Sequence, residues 1–172
     1  MTGALDARGF KAAARTFPSG VTVVASRHRE RTLAKTVSAF TTLSLDPPLI
    51  SAAVGKDSPL IGLARDSGLL GVSVLRDDQR GVAEYYATSA ALRAGPAPCP
   101  LLSATGAAPV LADCLSWFDC RLVAAVPGGD HTILVGRAVA VQVHGGLPLV
   151  HHDSGYRTVT AEPRPTWESR AS

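Results

Sequence analysis

Cysteine is scarce in this chain and poorly placed for chemistry. Only Cys99, Cys114 and Cys120 occur among 172 residues, with no CxxC pair, which argues against both a disulfide framework and a thiolate zinc site. The three are expected to be reduced and packed as small apolar residues. Aromatic residues make up 5%, and the one basic cluster, Arg27-His28-Arg29-Glu30-Arg31, is short and broken by an acid. A nucleic-acid surface needs a longer basic stripe with interleaved aromatics, so no nucleic-acid partner is expected. No apolar run approaches the roughly 20 residues that span a bilayer, and Met1 to Arg8 lacks the basic-then-apolar order of a secretion signal. The expectation is a cytoplasmic protein with no membrane association. Neither GxGxxG nor GxxxxGK(S/T) is present, so a phosphate would not be held by those glycine loops. His151 and His152 are adjacent, would point to opposite faces of a strand and could not readily share one metal. No metal is expected.

What is present suits one globular domain. The chain is 46% hydrophobic and 18% charged with a formal charge of +3, ordinary values for a domain large enough to bury a core. The reading is a domain over residues 1–160 and a loose tail over 161–172. Asp6 is a plausible N-cap for a helix to Phe17, with Phe10, Ala13, Ala14 and Phe17 at helical spacing and Pro18-Ser19-Gly20 to end it. Strand-like segments follow at Gly20 to Ser26, Leu33 to Leu45 and Leu49 to Val54, with the charged cluster as a hairpin turn. Ser58-Pro59 opens a helix that Gly68 closes. Leu69 to Leu75 is a strand, and Asp77 could cap a second inserted helix through Val82, Tyr85 and Tyr86 toward Leu92. Three prolines make residues 93–100 a loop. Leu115 to Val126, a turn at Pro127-Gly128-Gly129-Asp130, His131 to His144 and Leu147 to His151 complete the chain. About seven strands with two or three inserted helices and no strict βαβ alternation predict a mainly β, antiparallel barrel decorated by helices.

The densest chemistry lies in Thr36-Val37-Ser38-Ala39-Phe40-Thr41-Thr42-Leu43-Ser44-Leu45-Asp46-Pro47-Pro48-Leu49. As one extended strand it would set Thr36, Ser38, Phe40, Thr42 and Ser44 on a single face, a row of hydroxyls suited to phosphate or polyol oxygens. The Pro-Pro stop would leave backbone groups there unpaired and free for a ligand.

An ordered set of motifs carries a resemblance. Phe10, then Phe17-Pro18-Ser19-Gly20-Val21-Thr22-Val23-Val24, Thr36-Val37-Ser38-Ala39-Phe40, Ser44-Leu45-Asp46-Pro47-Pro48-Leu49, and Gly129-Asp130-His131 followed by Gly136 together resemble the flavin reductase family. The likeness runs from about residue 6 to about 158. It implies an antiparallel split β-barrel, the FMN-binding split barrel, and an NAD(P)H:flavin oxidoreductase. Such an enzyme uses NADH or NADPH to reduce FMN or FAD and passes the reduced flavin to a partner flavin-dependent monooxygenase. It also implies a homodimer. The alternative within the resemblance is a split-barrel flavoprotein or ligand-binding relative that has lost or changed the reductase reaction.

By the same resemblance, Thr36, Val37, Ser38, Ala39, Phe40, Ser44, Leu45 and Asp46 border the flavin ring and ribityl chain, and Lys56 and Ser58 meet its phosphate. His131 and Tyr156 lie on the nicotinamide or substrate side. No residue is assigned to catalysis, because hydride passes between stacked rings. The chain departs from the family pattern at three places. Leu60 replaces a second hydroxyl, Ala34-Lys35 replaces a glycine-containing approach, and Leu92-Arg93-Ala94 stands where an Asp-Lys/Arg-Phe element is common.

Overall fold

The β-branched segments of the sequence become the strands of one rolled antiparallel sheet. The computed structural model describes residues 6–103 and 106–160; the tail expected over 161–172 lies outside the described residues. In chain order the elements are α1 (Ala7–Arg15), β1 (Ser19–Gly20), β2 (Thr22–His28), β3 (Arg31–Val37), β4 (Phe40–Leu45), β5 (Pro48–Gly55), α2 (Pro59–Ser67), β6 (Leu69–Val74) and α3 (Arg80–Ala87). A 3-10 turn (Ala90–Leu92) precedes β7 (Leu101–Leu102), β8 (Val110–Leu111), β9 (Ser116–Gly128), β10 (His131–Val143), β11 (Val150–His152) and β12 (Gly155–Arg157). The main sheet runs β3-β2-β6-β9-β10-β5-β4, and β1, β11 and β12 form a small second sheet.

Connectivity forces the main sheet to roll. β3 and β4 are its opposite edges, yet only Ser38 and Ala39 join them. Laid flat, six strand spacings would hold the edges roughly 29 Å apart, whereas three peptide units reach at most roughly 11 Å. The edges therefore meet along a seam. Among the described residues no ladder closes it, and the barrel stays split; the Ala53 amide donates to the Ala39 carbonyl at 2.9 Å, which carries the β4–β5 pairing one residue into the connector.

Two cores result. Val24, Val37, Ile50, Ala52, Val54, Leu70, Val72, Cys120 and Leu134 pack together with Leu60 and Ile61 of α2. The barrel is so tight beside β10 that a Cβ on Gly136 would lie 2.9 Å from the Cβ of Cys120. The second core sets Val21, Val23 and Ala25 against Val82, Ala83 and Tyr86 of α3. β2 is thus buried on both faces, and each fully buried Val or Leu contributes about 1.5–3 kcal/mol. Gly71 is required by a crossing of the chain, since a Cβ there would lie 1.9 Å from the Pro109 carbonyl oxygen. All three cysteines are free and buried. Cys120 sits in the first core and Cys114 in the second, and burial pushes their thiols up to about 12 and about 11.

Several elements differ from the sequence expectation. The single strand over Leu33 to Leu45 is two strands on opposite edges, because the chain crosses the seam at Ser38-Ala39. The helix expected from Asp77 begins at Arg80. Asp77 and Asp78 form a turn after the bridge of Arg76 to Pro148, the Asp77 N–H donating to the Leu147 carbonyl, while the Gln79 side chain accepts from the Arg76 amide and donates to the Asp113 carbonyl. That helix stops at Ala87, and the 3-10 turn replaces its last part. α1 is capped as expected by the Asp6 carboxylate, which accepts from the Arg8 amide, but it ends at Arg15 and buries none of its residues. Phe10 is 60% and Phe17 77% exposed. No described helix is long and apolar enough to cross a membrane.

Candidate functional site

Small residues on β5 leave room along the seam. Ile50, Ala52 and Val54 point into the barrel, so Ser51, Ala53 and Gly55 alternate onto the other face. Three neighbouring hollows that share lining residues lie there. The middle one, of about 200 Å³, is lined by Lys35 to Ala39, Ala53 to Gly55 and His131. Through Lys35 and Gly55 it continues into a hollow of about 370 Å³ at the start of α2. Through Ser38, Ala39 and Ala53 it opens into an apolar bay of about 660 Å³ under α1, which Phe10, Phe17, Phe40 and Ile133 help to line.

The polar groups along this groove divide into those already engaged and those left open. Thr36 donates its hydroxyl to the Ala83 carbonyl at 2.7 Å and so ties β3 to α3. Thr22 does the same for the end of β3, donating to the Val37 carbonyl at 2.7 Å. The hydroxyls of Ser38 and Ser58 have no hydrogen-bond partner among the described residues. Ser58 is the N-cap residue of α2 yet makes no side-chain capping bond. A helix N-terminus with an uncommitted hydroxyl and the nearby Lys56 attracts an anion; Pro59 at the first helical position withholds one amide donor.

His131 opens β10 directly opposite Gly55. Its Nδ1 lies 2.7 Å from Asp130 Oδ1, and this hydrogen bond holds the Asp130 carboxyl below the usual carboxylate range. With Nδ1 engaged, Nε2 is the ring nitrogen left for a ligand. The Asp130 carbonyl in turn accepts from the Lys56 amide at 3.0 Å, which fixes the histidine turn against the entry to α2. Among the described residues no group of three or more His, Cys, Asp or Glu side chains could hold a metal ion.

Comparison with known proteins decides the family. Residues 14–160 match the family described as flavin reductase like domain. The chain belongs to the flavin reductase family. It is 40% identical over 153 residues to the reductase component of 4-hydroxyphenylacetate 3-monooxygenase from Thermus thermophilus, covering 86% of this chain and 93% of that protein. It is 34% identical over 146 residues to an NADH-dependent flavin reductase of Rhodococcus sp, covering 83% and 81%. Among solved structures, BorF, the flavin reductase component of a bacterial two-component tryptophan halogenase, is 36% identical, with a TM-score of 0.80 over 91% of this chain and all of that one. The flavin reductase PheA2 is 25% identical, with a TM-score of 0.82 over the same shares. The rolled, split sheet is the split-barrel fold of these flavin reductases.

Within this family member, the groove gathers some of the residues that the sequence singled out. Thr36, Val37, Ser38, Ala39 and His131 line the middle hollow, Lys56 and Ser58 the hollow at α2, and Phe40 the apolar bay. Val37 itself is buried in the core and offers backbone to the groove. The row of hydroxyls on one face does not form, because β3 and β4 are separate strands with a register shift between Thr42 and Ser44. Ser44, Leu45 and Asp46 lie at the β4–β5 hairpin and line none of the three hollows; Leu45 is 93% exposed. Tyr156 is also outside the groove. It packs on the α3 core, edge-on to His151 at 5.9 Å and beneath the Arg80 guanidinium, and burial raises its hydroxyl pKa.

Other groove residues were missed from sequence. Ser51, Ala53 and Gly55 carried a visible signal, alternate small residues in a strand whose other face is aliphatic. Ser89 carried none, since its place depends on where α3 stops, and Arg93 stood out only within Leu92-Arg93-Ala94, with no place in the groove assigned to it.

Proposed function

We propose that this protein is an NADH-dependent flavin reductase that binds its flavin along the seam and supplies reduced flavin to a separate monooxygenase. The observation that supports this most is the order of chemistry along one groove. An uncommitted Ser58 hydroxyl at a helix N-terminus lies at one end, backbone and Ser38 occupy the middle, and an apolar bay lies beyond. That order matches phosphate, ribityl chain and ring in turn, so the residues present fit the cofactor.

Ser58 and Lys56 would hold the phosphate, and the Thr36 to Phe40 backbone would border the polyol and ring. The bay beside Phe10 and Phe17 would offer apolar surface to the stacked nicotinamide, whose polar groups His131 would meet through Nε2. A flavin held by these residues would supply the hydride acceptor for NADH, the overall change being NADH, flavin and one solvent proton to NAD⁺ and reduced flavin. The chain's own residues bind and position the two cofactors; none has to act as acid or base.

Relatives named as reductase components of 4-hydroxyphenylacetate and tryptophan-halogenating systems support a monooxygenase-type partner. A homodimer is part of the same reading. Past Arg137, β10 pairs with β9 alone among the described residues, and Val139, Val141 and Val143 are exposed there, the last by 77%. An exposed apolar edge of this kind is normally covered, and a second copy would cover it; sedimentation equilibrium should give twice the chain mass. Leu43 and Leu45 are further exposed apolar residues.

Loss of absorbance at 340 nm tests the reading. NADH consumption should rise well above background only when FMN or FAD is added. No turnover with either flavin would overturn it.

A further inference from the structure

The hollow at α2 is larger than a single phosphate requires. A phosphate takes the space of about two waters, on the order of 60 Å³, whereas this hollow holds about 370 Å³, within the range of small-ligand pockets. Beyond Ser58 it runs between the middle of β3, at Leu33 to Lys35, and the junction of α3 with the 3-10 turn.

That far part has the chemistry of a nucleotide subsite. Ala87 and Ala90 give it a small apolar wall beside Leu33. Ser89 is the residue before the 3-10 turn and makes no side-chain capping bond; its hydroxyl has no partner among the described residues. Arg93 is fixed in place, its Nε donating to the Tyr85 and Thr88 carbonyls and its Nη2 to the Ala34 carbonyl at 2.7 Å. The guanidinium also lies over the rings of Tyr86 and Tyr85 at 5.0 and 5.2 Å. Its Nη1 alone has no partner among the described residues. A rigid arginine with one open nitrogen, a free serine hydroxyl and Lys35 therefore line the hollow together with the apolar wall, and with Lys56 these cations outnumber its two carboxylates, Asp57 and Asp130.

We infer that this chain takes FAD in preference to FMN, with the adenylate half in the hollow between Ser58 and Arg93. The inference rests on the groove being the flavin site. Lys56 and Ser58 hold the phosphate common to both flavins. Lys35, Ser89 and Arg93 Nη1 meet the second phosphate and ribose, and the base lies against Ala87 and Ala90. Arg93, the basic residue kept between the departures Leu92 and Ala94, thereby becomes a specificity residue.

Isothermal titration of the whole chain with FAD, FMN and riboflavin tests this without any turnover. FAD should bind at least tenfold more tightly than FMN. Ala90→Trp, at an exposed position, should fill the hollow and cost FAD at least tenfold while leaving FMN within twofold. Ser89→Tyr supplies an independent block should the first variant fail to fold. Equal affinity for FAD and FMN, or a loss shared equally by both in a folded variant, would overturn the inference and leave the flavin site standing. No binding of any flavin would overturn the flavin site itself.

Discussion

Replacing Ser58 by Ala separates a binding hydroxyl from a helix cap. A serine that caps a helix through its side chain costs about 1 kcal/mol when changed to Ala, or about 2–4 °C in a chain of this size. Ser58 makes no such bond, and α2 is held by the burial of Leu60, Ile61, Leu63 and Ala64. The melting temperature of Ser58→Ala should therefore fall by less than about 1 °C. A hydrogen bond to a charged phosphate contributes about 1.5–3 kcal/mol, so FMN and FAD affinity should drop by about tenfold to a hundredfold. Riboflavin, which lacks the phosphate, should bind as before. Calorimetric titration with FMN and riboflavin, paired with scanning calorimetry, reads all three quantities. A loss of several degrees with unchanged FMN affinity would refute the reasoning and make Ser58 an ordinary cap.

Further outcomes follow from the same geometry. Gly71→Ala would place a Cβ 1.9 Å from the Pro109 carbonyl oxygen, and overpacking of about 1–3 kcal/mol should lower the melting temperature by several degrees; an unchanged melt would contradict the crossing. At pH 8 the buried Cys114 and Cys120 should resist a thiol reagent in the native protein, while all three cysteines react after unfolding in guanidinium. The Asp113 carboxyl lies below its ordinary range because Arg76 donates to it at 2.6 and 2.7 Å. A depressed folded-state value stabilises above the unfolded value of about 3.9 and is lost as pH falls through the folded one. The gap in melting temperature between wild type and Asp113→Asn should thus close as pH drops from 6 to 3. His131→Ala should raise the Michaelis constant for NADH severalfold with little change in flavin affinity.

Much of the fold was legible because its signals are local. Ser58-Pro59 and Gly68 bound α2, and the Arg29-Glu30 and Gly129-Asp130 turns join β2 to β3 and β9 to β10. The motif order pointed to the family and hence to a split barrel. What local reading lost is set by the roll of the sheet. Thr36 and Thr42 look equivalent by alternation, but Thr36 faces α3 while Thr42 lies on the other edge beyond the seam. Leu60 reads as a missing hydroxyl in the phosphate site, and in the fold it is 2% exposed in the barrel core. Arg93 reads as a lone basic residue in an altered, proline-rich loop, yet its four carbonyl contacts hold that loop against α3 and β3. In each case the deciding neighbour is distant in sequence.

The most direct test of the seam groove as the place where flavin and nicotinamide meet is flavin-dependent NADH consumption by Ala53→Trp. Ala53 lines both the middle hollow and the apolar bay, so an indole there would block the junction. With circular dichroism and melting temperature close to wild type, turnover should fall at least tenfold. Full turnover by the folded variant would contradict the account and place the reaction elsewhere on the protein.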